Sequence, residues 1–141
     1  MRGALVPGVM ISKVAKKEPF HVFGTGKLGR CYAHYKYIAE GIYTTYKSSR
    51  EYDIVNIGSP GSYTVLEMCQ SLSDILDELK DPKLPCLRYD FVKGRPGDFS
   101  QGDIDDTRLK ELGMTYKNLS LNEMMRDCVQ SFIANGYKWL K

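Results

Sequence analysis

Thr64-x-x-Glu67 and Ser120-x-x-Glu123 each set a hydroxyl three residues ahead of a carboxylate, and an apolar stripe follows each pair. In such a capping box the hydroxyl accepts from the third helical amide while the carboxylate reaches back to the amide of the cap. Behind Thr64 run Leu72, Ile75, Leu76 and Leu79, with Pro82 after them; behind Ser120 run Met125, Cys128, Val129, Phe132 and Ile133. Stripes of this width belong to helices that bury one face. The sequence offers little sheet to bury them against. Only Phe20–Phe23, Tyr52–Ile57 ("YDIVNI") and Pro85–Val92 read as strands.

Three further helices are expected. Val9 to Lys17 places Met10, Ile11, Val14 and Ala15 on one side and stops at Pro19. From Cys31 the apolar positions Tyr35, Ile38 and Ile42 recur at helical spacing until about Ser48. A short helix capped by Asp105 or Asp106 ends at Gly113. The order α-β-α-β-α-β-α-α places the chain in the α/β class, or α+β as an isolated piece. At 141 residues and 43% apolar side chains, residues 1–141 are read as one region. Three short strands are few for so many helix faces, and "YDIVNI" in particular calls for neighbours that the chain does not supply.

Composition removes several classes of function. Twenty basic against 17 acidic residues give a net charge of +3, with no basic run longer than two, so no nucleic-acid stripe is indicated. No apolar run reaches the roughly 20 residues of a membrane span. Met1-Arg2 is followed by only a few apolar residues before Pro7-Gly8, which speaks against a secretory signal, and a cytoplasmic chain is expected. The four cysteines form no Cys-x-x-Cys pair and there are two histidines, so neither a metal site nor a redox dithiol is expected.

"FHVFGTGKLGR", Phe20 to Arg30, has the outline of a dinucleotide-binding fingerprint, Gly24-x-Gly26-x-x-Gly29. That fingerprint requires a buried strand before the glycines, a helix after them and an acid at the end of the next strand. Here the leading strand carries His21, and the following one ends at Asn56 with no acid. Arg30 points elsewhere. A guanidinium at the mouth of a helix offers a permanent, bidentate clamp for phosphate. Lys93-Gly94-Arg95-Pro96-Gly97-Asp98 adds a second arginine on a turn stiffened by proline, with a carboxylate beside it. Two arginines and one acid suit a diphosphate and a ribose hydroxyl, although Arg95 and Asp98 could equally pair with each other across the turn.

Taken in order, "PFHVFGTGKLGRCYAHYKYIAEGI", "YDIVNIGSPGSYTVLEM", "GRPGD" and "DIDDTRLKELGMTYKNLSLNEMM" resemble the C-terminal portion of the extended short-chain dehydrogenase/reductases, the NAD-dependent nucleotide-sugar epimerases and dehydratases. The resemblance covers the chain from about Pro7 to its last helix. It implies the smaller part of such an enzyme, which grips the nucleoside diphosphate of the sugar, without the N-terminal Rossmann domain that holds NAD(P). Val22 and Phe23 would then lie beside the base. Arg30 would contact the diphosphate with Tyr32 close by, Arg95 would complete the clamp, and Asp98 would fix its turn or meet the ribose. Asn56 to Ser59 matches a strand that runs beside the cofactor sheet, which accounts for the missing neighbours of "YDIVNI". Cys31 stands where the family usually has Asp, and Lys36 and Tyr37 replace a further acidic pair.

The family's proton relay is Tyr-x-x-x-Lys, in which the lysine lowers the tyrosine pKa. Tyr32/Lys36 and Tyr43/Lys47 have that spacing, but neither comes after a Ser/Thr-rich strand, and no catalytic residue is assigned. Three functional readings result. The first is a nucleotide-sugar-binding region that does not catalyse alone and binds no cofactor itself, NAD(P) being implied for the complete enzyme. Its partners would be a nucleoside-diphosphate sugar and a Rossmann domain, or a second copy of the chain, with neither nucleic acid nor membrane. The second is a non-catalytic interaction module derived from that fold. The third is a small NAD-binding module using Gly24, Gly26 and Gly29.

Overall fold

A computed structural model describes residues 5–48, 53–100 and 102–138. The elements are α1 (Val6–Ala15), β1 (Phe20–Phe23), β2 (Gly29–Arg30), α2 (Tyr35–Lys47), β3 (Tyr63–Thr64), α3 (Val65–Leu79), β4 (Tyr89–Val92), α4 (Thr107–Glu111) and α5 (Leu121–Ala134). β1 pairs with β4, and β2 with β3. Where chain length suggests one region, these residues gather into two compact units, both assembled from separate stretches of sequence. The first takes the stretch ending at Leu28, Thr64–Asp98 and the stretch from Ser120; the second takes Gly29–Tyr63 and Phe99–Leu119.

In the first unit both capping boxes form. Thr64 Oγ1 accepts from the Glu67 amide at 3.2 Å, and the Glu67 carboxylate accepts from the Thr64 amide at 2.7 Å. The Ser120 and Glu123 pair repeats the arrangement at 3.3 and 2.8 Å. The helices they start, α3 and α5, pack on each other, and α1 packs on α5 and beside β1. Met68, Leu72, Ile75 and Leu76 of α3 are buried, as are Met124, Met125, Val129 and Phe132 of α5 and Met10, Ile11 and Val14 of α1. Each such side chain contributes about 1.5–3 kcal/mol on burial. Leu79 departs from the expected stripe at 38% exposed, because it is the last residue of α3, ahead of Lys80 in the left-handed region. Cys128 and Ile133 are half-buried. α1 begins at Val6 instead of Val9, since Pro7 in the first turn forfeits no helical hydrogen bond.

β1 and β4 run parallel in the register Phe20↔Tyr89, His21↔Asp90, Val22↔Phe91 and Phe23↔Val92. Parallel strands need a long crossover, and α3 lies within it. Phe20 and Val22 point into the unit; His21 and Phe23 point out. The strand expected over Pro85–Val92 shortens to Tyr89–Val92, the length that the four residues of β1 can pair.

The second unit is built on α2 and α4. Tyr37, Leu109 and Met114 form its centre, with Ala33, Ile38, Val55 and Ile57 packed around them. Three expectations are corrected in this unit. Residues 53–57 of "YDIVNI" form no strand, and Tyr52 lies outside the described residues. With no ladder to join, the segment is tied by side chains: Arg108 pairs with Asp53 at 2.9 Å and donates to the Ile54 carbonyl at 3.3 Å, and Asn56 donates to the Asp105 carbonyl at 3.1 Å. The helix expected from Cys31 begins at Tyr35, because His34 caps it, its Nδ1 accepting from the Lys36 amide at 3.4 Å. The buried face of α2 is also displaced. Tyr37 and Gly41 are inside while Tyr35 and Ile42 are exposed. A Cβ on Gly41 would stand 2.5 Å from a methyl of Ile57, so Ile57 packs on α2 where a side chain is missing. At α4 the Asp105 side chain accepts from the Thr107 amide at 3.0 Å, while Asp106 is drawn to Tyr37 at 3.2 Å and Lys110 at 2.7 Å.

Thr64→Ala and Ser120→Ala are expected to lower stability by about 1 kcal/mol each, and Met125→Ala by about 2–5 kcal/mol, in urea titration. Hydrogen bonds from Thr64 and Ser120 hold Glu67 and Glu123 below their ordinary value of 4.5. A lowered folded-state pKa gives stability that is complete above 4.5 and lost as the pH falls through the folded value. Both glutamates are exposed, so the loss is small, and Glu67→Gln with Glu123→Gln should flatten it in thermal melts between pH 5 and pH 3. Burial pushes the Cys69 thiol up to about 11, whereas Cys86 is exposed. A thiol reagent at neutral pH should therefore modify Cys86 in the folded chain and reach Cys69 only on unfolding.

Candidate functional site

In the first unit the outward face of β1 carries His21 and Phe23, with Asp90 and Val92 of β4 alongside. Beyond the strands the Gly24 amide donates to the Val92 carbonyl at 2.9 Å. A Cβ on Gly94 would lie 3.4 Å from the Gly24 Cα, so the backbones leaving the two strands run nearly in contact. The chain after β4 then turns. The Asp98 amide donates to the Arg95 carbonyl at 3.2 Å across Pro96 and Gly97, and Gly97 has φ +76°. Proline followed by a glycine at positive φ suits a type II turn.

That turn brings Arg95 back over β1, its guanidinium 3.9 Å from the centre of the Phe23 ring. Stacked cation and ring form a flat platform, and Phe23 remains 40% exposed. Next to it His21 Nδ1 meets Asp90 Oδ1 at 2.5 Å. Val22 is fully buried, so only its main chain is left for a ligand. Asp98 ends the turn, exposed. The pairing of His21 with Asp90 is the part of this face that the sequence conceals, although a histidine inside an otherwise apolar run is a faint sign of it.

Arg30 and Tyr32 belong to the second unit. Arg30 lies in β2, five residues before α2, and so does not stand at a helix mouth. Its guanidinium donates to the Phe99 carbonyl and, at 3.0 Å, to that of Gly29, and sits 5.4 Å from the centre of the Phe99 ring. The Gly29 amide donates to Ser100 Oγ at 3.3 Å, tying the same two stretches together. Asn118 holds the chain between β2 and α2. Its amide donates to the Tyr32 carbonyl at 3.0 Å, and its oxygen accepts from the His34 amide at 2.8 Å. Cys31 Sγ donates to the Gly102 carbonyl at 3.2 Å.

The two Tyr-x-x-x-Lys spacings are placed differently. Tyr32 precedes the helix that carries Lys36, and burial pushes its phenol up despite the opposing charge of Arg30, away from the phenolate a relay needs. Lys47 lies 4.9 Å from the centre of the Tyr43 ring, over its face. Both line an open cleft of about 660 Å³ with Glu40, Met114 and Tyr116. The glycine loop departs from the dinucleotide pattern: Gly29 opens β2 instead of a helix, and the helix start beside the loop is that of α3, whose Leu66 amide donates to the Gly26 carbonyl at 3.3 Å. Gly26, at φ +69°, serves packing: a Cβ there would stand 2.7 Å from Val22 and 2.9 Å from Leu66. Among the described residues no group of three or more His, Cys, Asp or Glu could hold a metal, and no helix is long and apolar enough to cross a membrane.

No protein-family model matches the chain. It is 26% identical over 140 residues to a probable dTDP-glucose 4,6-dehydratase of Sinorhizobium fredii, covering 96% of this chain and 39% of that protein. To UDP-glucuronic acid decarboxylase 1 of Arabidopsis thaliana it is 23% identical over 122 residues, 86% of this chain and 26% of the other. Among solved structures it matches a UDP-glucose 4-epimerase of Thermotoga maritima with UDP-glucose, at a TM-score of 0.76 and 25% identity over 95% of this chain and 41% of that one. A UDP-N-acetylglucosamine 4-epimerase of Methanobrevibacter ruminantium in complex with UDP-N-acetylmuramic acid matches at 0.77 and 22%, over 96% and 41%. The chain thus spans about two fifths or less of the length of these relatives. Five helices with few short strands, aligned along nearly the whole chain with one part of such enzymes, resemble the C-terminal substrate-binding portion of the extended short-chain dehydrogenase/reductases.

Proposed function

We propose that the chain binds a nucleoside-diphosphate sugar as the substrate-gripping region of an NAD-dependent nucleotide-sugar epimerase or dehydratase. One observation carries this reading: the Arg95–Asp98 turn lays a guanidinium on Phe23 at the end of a two-stranded sheet, joining a flat apolar surface to a fixed positive charge. A nucleotide asks for that combination, a platform for the base and charge-assisted donors for the diphosphate. In this reading Phe23 and the main chain of Val22 border the base. Arg95 contacts the diphosphate, and Asp98 keeps the turn or meets the ribose; the resemblance assigns Arg30, with Tyr32 close by, a diphosphate contact as well. No residue of the chain is assigned a catalytic role, and the glycine loop is not assigned to NAD(P).

Titration calorimetry with UDP-glucose, UDP-glucuronate and dTDP-glucose tests the reading. At least one should bind, and Arg30→Ala and Arg95→Ala should each weaken it by about tenfold or more, the value of a hydrogen bond to a charged group. Absence of binding by all three would refute it. Turnover of any of them by the isolated chain with added NAD would refute the non-catalytic assignment.

A second reading, an interaction module, is favoured by the outer face of α2. Tyr35, Ile42, Tyr43 and Tyr46 all stand exposed there, Tyr46 at 83%. Aromatic residues gathered at helical spacing on a surface suit a protein partner. Sedimentation of the chain over a range of concentrations should show self-association if this face pairs with a second copy.

A further inference from the structure

β4 leaves one edge of its sheet open. The Phe20 amide donates to the Arg88 carbonyl and the Gly24 amide to the Val92 carbonyl, both at 2.9 Å, so the main-chain groups of Arg88, Asp90 and Val92 face β1. Those of Tyr89 and Phe91, which alternate with them, face away. Among the described residues no strand lies on that edge, since the sheet holds only β1 and β4. Edge strands are ordinarily guarded by proline, lysine or a bulge. β4 contains neither proline nor lysine, keeps an unbroken register with β1, and turns its one charge, Asp90, to the outward side with His21. On the opposite side Tyr89 and Phe91 stand in register with the buried Phe20 and Val22, yet they are 44% and 58% exposed, with their rings edge to face at 6.0 Å. Apolar surface that is covered on β1 thus runs on, uncovered, to the rim of the sheet.

Open main-chain donors and acceptors flanked by aromatic side chains suit the addition of a strand. Charge decides which strand. Arg88 and Asp90 flank Tyr89 on the same side of the chain and carry opposite signs. A second copy of β4, laid antiparallel about a two-fold axis at Tyr89, sets each Arg88 opposite the Asp90 of the other copy, twice over. The same register brings Phe91 beside the half-buried Leu87 of the second copy. An axis at Asp90 would oppose two carboxylates, and an axis at Phe91 would face Arg88 and Asp90 with Gly94 and Val92. We propose that β4 pairs with the β4 of a second copy in the Tyr89 register, making a four-stranded sheet in the order β1-β4-β4-β1. Arg88 keeps donors for this, because its bond to the Lys17 carbonyl uses one of the five N–H groups of a guanidinium. Pairing of this kind needs no nucleotide, and it engages the rim of the sheet instead of the exposed face of α2.

Sedimentation equilibrium of the full chain over a range of concentrations should show monomers in exchange with dimers. Arg88→Asp and Asp90→Arg each place like charges opposite one another, and each should weaken the dimer by about tenfold or more. Mixed in equal amounts, the two variants become complementary at both positions. They should then form a heterodimer with an affinity near that of the unaltered chain. Phe91→Pro removes an outward N–H that β1 does not use, and should abolish the dimer while the far-ultraviolet dichroism stays the same. Tyr46→Lys, on α2, should leave dimerisation as it is. A chain that stays monomeric, a dimer indifferent to Arg88→Asp and Asp90→Arg, variants that fail to associate on mixing, or a dimer lost with Tyr46→Lys would each overturn the inference.

Discussion

Four residues of β1 paired with four of β4 hold together the face on which the proposed site is built. His21 and Asp90 lie 69 positions apart in sequence, yet the register sets them side by side, and the same pairing aligns the two chain exits at Gly24 and Gly94. Because both exits lack a Cβ, the loop after β1 and the turn after β4 can run almost in contact. The buried side of the pair, Phe20 and Val22, is covered within a unit in which two of the three helices, α3 and α5, are started by capping boxes. Local hydrogen bonding at Thr64 and Ser120 thus supports a non-local arrangement some distance along the chain.

The features legible in the sequence are mostly local ones. A capping box needs four residues, and both boxes form with the helix starts expected of them. The core stripes of α3 and α5 are equally readable, since a period of 3.6 shows in any strongly amphipathic segment. The misreadings have equally physical causes. In α2 periodicity favours Tyr35 and Ile42, but the face turned inward is the one with Gly41, where backbone approach replaces side-chain burial; an absent side chain leaves no mark in a hydrophobic pattern. "YDIVNI" has the composition of a strand, and composition cannot provide a partner for it, so residues 53–57 are held by Arg108 and Asn56 instead.

The candidate site divides along the same line. The turn at Arg95–Asp98 is readable because proline and glycine dictate its type. Arg30 reads as a residue at a helix mouth because the gap between Gly29 and α2 hides β2 and the cap at His34. Asn118, which pins Tyr32 and His34 from 84 or more residues away, carries no motif at all. Its role comes from position, as does that of Asp90.

The crossover between β1 and β4 also sets an order of events during folding. Helices such as α3 and α5 draw on contacts between residues near in sequence, which form on microsecond timescales or faster. The two strands can meet only after a loop of more than sixty residues has closed, at an entropic cost that must be met before any of their contacts is gained. The face bearing His21, Phe23, Asp90 and Arg95 is therefore built on the kind of contact that topology makes slow to form.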